Sequence, residues 1–159
     1  MKLNSVLIVC CCIALATACK KSDNNNNNTS TSSTSTVKDL LLAGKWQEIA
    51  ETGTYVYMGK DTTIDLYAQL KDCEKDDFTT FASNGSVTKD ENTNVCSGKS
   101  QTYTFPWALL SNDTRLALVD SNPDTFDLDI SATQMKLKKV SKDNSGNPTT
   151  WLVTLKNIK

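Results

Sequence analysis

The densest group of chemically capable side chains is the segment "KDCEKDD" at 71 to 77, which sets Asp72, Glu74, Asp76 and Asp77 around Cys73. Carboxylates at alternating positions share one face of an extended chain and can offer oxygen ligands to a hard cation such as Ca²⁺. The segment lacks the glycine and closing glutamate of an EF-hand loop, and Lys71 and Lys75 are interleaved. A solvated loop pinned by Cys73 is therefore the expected structure, with no metal bound. Two carboxylates would also serve glycoside hydrolysis, but the sequence gives no evidence of a cleft around them, and no enzymatic activity is expected. The chain contains no histidine. This removes Ser-His and Cys-His nucleophiles, the usual zinc and haem ligands and the most versatile general base; no cofactor is expected.

The elements that position these groups belong to a chain of 159 residues, the size of one ordinary domain. A formal charge of −1 and a single arginine, Arg115, provide no clustered basic surface. Nucleic acid is therefore excluded as a partner, because phosphate neutralisation needs grouped Lys and Arg.

The first residues have a different character. Lys2 precedes "VLIVCCCIALA", an apolar run of eleven residues from Val6 to Ala16. That length suits an export signal and is too short to span a bilayer as a helix. Ala16, Thr17 and Ala18 then lead directly into Cys19. "LATAC" resembles the lipobox of bacterial lipoproteins, although Ala16 takes the place of the preferred branched residue. The resemblance implies a signal peptide over 1–18, cleavage before Cys19, and acylation of Cys19. From Cys19 to Thr36 the chain reads "CKKSDNNNNNTSTSSTST", without an aliphatic or aromatic residue. Such a stretch cannot offset its chain entropy by burial, so 19–36 is expected to be a disordered tether. Treated as a flexible coil of about 17 residues it reaches on the order of 20 to 25 Å. The start "CKKSDNNNNN" is similar to lipoproteins of the Bacteroidetes. It implies lipid anchoring in the outer membrane, with both the periplasmic and the surface face open to it.

Residues 37–159 read as one folded domain. "VKDLLLAG" has the look of a single helical or 3₁₀ turn closed by Gly44. After it come nine short runs rich in Thr, Val, Tyr, Phe and Trp: "WQEIAET", "TYVYM", "DFTTFA", "SVTKD", "QTYTFPWALL", "TRLALVD", "TFDLDIS", "QMKLKKVS" and "TTWLVTLKNI". Tyr103, Phe105, Trp107 and Leu109 fall on one face, as do Phe126, Leu128 and Ile130, with Asp127 and Asp129 on the other. "SNGS" at 83 to 86 is expected to form a type I′ hairpin turn with Asn84 and Gly85 at positive φ, and "SNDT" at 111 to 114 joins two more strands. Without a crossover helix the sheet is antiparallel. The expected fold is all-β: an antiparallel up-and-down barrel of about eight strands behind a short helical turn.

"LLLAGKWQEI", with Gly44, Lys45 and Trp46, is similar to the start of lipocalins. The ordered set "KDCEKDDFTTFASNGSV", Cys96 and "YTFPWALLSNDTRLAL" resembles the lipocalin-like domain of Bacteroidetes lipoproteins over residues 38 to 158. It departs from the larger lipocalins in lacking a Thr-Asp-Tyr motif and an arginine over Trp46, where the last strand offers only Lys156. If Cys10, Cys11 and Cys12 leave with the signal and Cys19 is acylated, Cys73 and Cys96 remain as an even pair. A structural disulfide is expected between them rather than redox chemistry, since there is no C-X-X-C. Trp46, Tyr103, Phe105, Trp107 and Trp151 either line a cavity for an apolar ligand or fill the barrel solidly, as a barrel of eight strands allows both. The functional expectation is a monomeric, membrane-anchored envelope protein that binds a small hydrophobic or amphipathic molecule. The alternative is a module that docks an envelope protein or glycan through its surface.

Overall fold

A computed structural model describes residues 35–159; Cys19, the signal segment and nearly all of the tether lie outside the described residues. The first element of the described residues is α1 (Val37–Leu42), where the Thr36 hydroxyl accepts from the Asp39 N–H and the Asp39 carboxylate accepts from the Thr36 N–H. This reciprocal cap satisfies N–H groups that a six-residue helix would otherwise leave unpaired. Nine strands follow: β1 (Lys45–Tyr57), β2 (Lys60–Asp65), β3 (Phe78–Phe81), β4 (Ser86–Asp90), β5 (Thr102–Leu110), β6 (Arg115–Leu118), β7 (Asp124–Ile130), β8 (Gln134–Lys142) and β9 (Pro148–Ile158). A 3₁₀ turn at Tyr67–Gln69 and one helical turn, α2 (Asp72–Lys75), lie between β2 and β3.

From β3 onward each strand pairs antiparallel with the next, and β9 returns to pair with β1. The result is a closed antiparallel barrel of eight strands with β2 as an extra strand, in the up-and-down, lipocalin-like arrangement the sequence anticipates. Closure pairs β1 and β9, the strands that would otherwise be edges of the meander, and follows from strands that are short, sequential and joined by tight turns.

Several elements differ from the sequence reading. "WQEIAET" and "TYVYM" form one strand, β1, because Gly53 between them stays in the ladder, opposite Trp151 on β9 and Ile64 on β2, and a Cβ there would stand 3.2 Å from Leu66 Cδ1. Residues 60–65 are not among the nine expected runs, yet they pair with 52–57 as β2. Both β2 and β3 lie on the β1 edge opposite β9: β3 covers Lys45 to Gln47 and β2 covers Thr52 to Tyr57. They share that edge at different heights, parted by an excursion over 66–77, and only β3 goes on to pair with the next strand of the barrel. The "SNGS" connection also differs. Gly85 has φ 81° but Asn84 does not share the left-handed region, and the Ala82 N–H donates to the Ser86 carbonyl at 2.8 Å. This is a three-residue connection with glycine in a bulge rather than a type I′ turn. Gly44 follows the Ala43 cap of α1 without positive φ; a Cβ there would stand 2.3 Å from Asn157 Oδ1, so its role is clearance.

The core sits at the end of the barrel that α1 covers. Trp46 and Leu41 are fully buried, and the Trp46 Nε1–H donates to the Leu41 carbonyl at 3.1 Å, tying helix to barrel. Phe81 meets Trp107 edge to face at 5.4 Å, a favoured aromatic geometry. Lys156 is exposed and pairs with Gln47 in the sheet register, on the face away from Trp46.

Cys73 and Cys96 form a disulfide, with Cα atoms 5.2 Å apart. It ties the 66–77 excursion to the connection between β4 and β5. Inside that connection the buried Glu91 carboxylate accepts from the Cys96 N–H at 3.4 Å, with Lys99 Nζ 3.8 Å away. Opening the bridge by the double substitution Cys73→Ser and Cys96→Ser is expected to lower unfolding free energy by about 2 to 4 kcal/mol, read from a urea transition. Intact mass should rise by two hydrogens on reduction of the wild-type bridge, and an unchanged mass with two free thiols would contradict it.

Candidate ligand-binding site

Beyond the packed end the barrel is hollow. A cavity of about 340 Å³ opens there, walled by Phe105, Leu118, Phe126, Trp151 and Val153, with Trp46 reaching it from the core side. Every one of these positions follows from strand alternation: on β9, Trp151, Val153 and Leu155 all line the cavity and are two residues apart. Trp151 packs against Phe126 with ring centroids at 5.3 Å, and Phe105 stacks on Tyr103 at 5.0 Å. Tyr103 is 46 % exposed and stands at the mouth.

Four of the five aromatic side chains singled out from the sequence therefore meet at this cavity. Trp107 does not. It lies in the packed end, 7 % exposed, with Nε1 donating to the Ala82 and Ser86 carbonyls at 3.2 and 3.0 Å. Alternation gave Trp107 the same face as Phe105 but carried no information on depth along the barrel axis.

The polar wall arises from an irregularity in β1. Between Glu48 and Ala50 the register against β9 slips by one residue, a β-bulge. Directly opposed residues of an antiparallel pair share a face. Glu48 opposes Leu155 and Glu51 opposes Val153, both inward, so both glutamates point into the barrel although they are three apart. A regular strand would send one of them outward. Trp151 Nε1 donates to Glu51 Oε1. Glu48 Oε1 is buried and has no hydrogen-bond partner among the described residues. Burial pushes the Glu48 carboxyl up to about 7, reinforced by the neighbouring Glu51 charge.

The acidic segment does not act as a unit. Asp72 is exposed, Glu74 accepts from the Lys71 N–H at 3.1 Å at the start of α2, and Asp76 accepts from the Asn94 N–H at 3.2 Å. Asp77 is 5 % exposed and lines the cavity, 2.9 Å from Lys89 Nζ. Burial pushes the Asp77 carboxyl above its usual range, and Lys89 draws it part of the way back. The expectation of a loop pinned by Cys73 thus becomes a helical turn pinned by Cys73. Among the described residues no group of three or more His, Cys, Asp or Glu side chains is placed to hold a metal ion.

Sequence reasoning missed Glu48, Glu51 and Lys89. The alternation of Trp46 and Glu48 within "WQEI" carried a usable signal, a carboxylate on the core face of a strand. Glu51 carried none, because its direction depends on the bulge.

A carboxyl that ionises less readily in the folded than in the unfolded chain gives a definite pH dependence. Between pH 4.5 and about 7 the folded chain keeps a proton on Glu48 that the unfolded chain has released. Glu48 therefore favours folding at low pH relative to high, and this contribution is lost as pH rises through that window. Glu48→Gln is expected to match the wild type near pH 4 and to exceed it in stability at pH 8, measured by urea midpoint across pH. A variant that is less stable at pH 8 would refute a desolvated, ionised Glu48. Comparison with known protein families and with curated proteins finds no match to this chain.

Proposed function

We propose that this protein is a lipid-anchored, non-catalytic binding protein of the bacterial envelope that holds a small hydrophobic or amphipathic molecule inside its barrel. The observation that carries this reading is the half-hollow barrel itself. Its cavity of about 340 Å³ has one wall of Phe105, Phe126 and Trp151 and another of charged side chains, and ligand pockets of roughly 300 to 1,000 Å³ are typical of small-molecule sites. The filled end, fixed by α1 and Trp46, acts as a rigid floor. The resemblance of "LATAC" to a lipobox supports acylation of Cys19, and the polar run after it supports a tether to the outer membrane.

The second reading, docking of an envelope protein or glycan, draws on the tip of the β1–β2 hairpin. There Tyr57 is 57 % and Met58 85 % exposed, an apolar pair set out in solvent. The cavity favours the first reading because a barrel that served only as a scaffold would have no use for the hollow.

Native mass spectrometry of the purified protein, followed by solvent extraction, is expected to reveal a stoichiometric small molecule. Filling the cavity with Leu118→Trp should abolish its retention while far-ultraviolet circular dichroism stays unchanged. A clean wild-type apoprotein with no affinity for apolar probes would overturn the reading in favour of docking. The anchor has its own check. Cys19→Ala is expected to move the protein out of the membrane fraction, and retention there would refute acylation at Cys19.

A further inference from the structure

The cavity is apolar along one wall and lopsided in charge along the other. Five carboxylates and one lysine line it. Lys89 is engaged by Asp77 at 2.9 Å, Lys99 engages Glu74 at 3.4 Å, and Lys139 engages Asp124. Glu48 has no cation within salt-bridge distance among the described residues, and Glu51, which points into the same barrel, accepts from the Trp151 indole N–H and lies against Glu48. Asp77, although paired through one oxygen, keeps Oδ1 buried without a hydrogen-bond donor. Around Glu48 there are thus three carboxylates, Glu48, Glu51 and Asp77, to a single ammonium, Lys89. Buried carboxylates of this kind demand a counter-charge or a proton.

We infer that the barrel is built for a cationic amphiphile, a small amine whose ammonium lies against Glu48 and whose apolar body lies along Phe105, Phe126 and Trp151. This rests on the cavity being a ligand site and adds the ligand's charge. An ammonium supplies up to three donors, enough for Glu48 Oε1 and for the free oxygen of Asp77. The aromatic faces of Trp151 and Phe105 are compatible with a cation and its hydrocarbon stem. A carboxylate ligand would meet the same wall with like charge, and a neutral alcohol would leave Glu48 uncompensated.

The charge balance also fixes the pH response. The groups facing Glu48 are Glu51 on its own strand, Asp77 ahead of β3, Lys89 on β4 and the apolar Leu155 on β9. In the empty barrel Glu48 keeps a proton up to about pH 7. A bound ammonium replaces that proton. Amine binding therefore strengthens as pH rises through 7 and releases a proton below it.

Three nearly isosteric, water-soluble probes test this on the full chain with its disulfide intact: phenylpropylamine, phenylpropanol and phenylpropanoate. Trp46 and Trp151 line the cavity, so tryptophan fluorescence reports occupancy. At pH 8 the amine is expected to bind about tenfold or more tighter than the alcohol, with the carboxylate weakest. The advantage should shrink as pH falls from 8 to 5, and Glu48→Gln should abolish it at pH 8 while affinity for the alcohol is retained. If Glu48→Gln does not fold, the wild-type pH series decides. Equal binding of amine and alcohol, or tightest binding of the carboxylate, would overturn the cationic ligand and leave the cavity reading intact. Binding of none of the three would remove both.

Discussion

The structure depends on the seam between β1 and β9. Nine residue pairs, from Lys45 with Ile158 to Thr54 with Thr150, join the first strand of the barrel to the last. Without that seam the strands from β1 through β3 to β9 would form an open, strongly twisted sheet with β1 and β9 unpaired along the edges that now meet. The long sequence separation of its partners makes the seam costly in chain entropy, and the buried side chains on both sides of it repay that cost. Trp46, Val153 and Leu155 lie on its inner face. The same seam carries the bulge that turns Glu48 and Glu51 inward together, so the closure of the barrel and the chemistry of its interior have one origin.

A second consequence follows on the other edge of β1. Covering by β3 ends at Gln47, and pairing by β2 starts at Thr52, with the Leu66 N–H to the Glu51 carbonyl extending it by one bond. The ladder is therefore interrupted beside Glu48, where the 66–77 excursion stands out from the wall. The disulfide and the buried Glu91 fix that excursion and the facing connection. The hollow lies on this side, where Glu48, Glu74 and Asp77 line it. The opposite end has a full complement of strands, a helix over it and aromatic side chains from β1, β3 and β5 in contact.

The interior electrostatics run against stability. An apolar filling of the upper barrel would bury more hydrocarbon and no charge, and replacing buried ionic groups by well-packed apolar ones is often neutral or stabilising. Asp77 and Lys89 form a compensated pair; Glu48 does not. Local rules broken in this way tend to mark functional sites rather than structural ones, and here the broken rule and the cavity coincide.

What the sequence by itself determined was the fold class and much of the inner surface. Period-two alternation is local, since successive side chains of a strand must face opposite ways, and so Phe126, Leu128 and Ile130 could be set against Asp127 and Asp129 without any knowledge of neighbours. Closely spaced turns and the lack of a crossover helix led to an antiparallel meander, and cysteine number, given export, led to the Cys73–Cys96 pair. Tertiary structure alone decided depth, register and pairing. Trp107 and Phe105 share a face and a strand, yet one fills the core and the other walls the cavity, because depth depends on where the barrel closes and where α1 lies. Glu51 points inward only because β1 slips one residue against a strand about a hundred positions away, and Asp77 has a cationic neighbour in a buried place only because β4 brings Lys89 to it. A bulge and an ion pair between distant strands arise from how two surfaces fit once the chain has closed, and no local pattern records that fit.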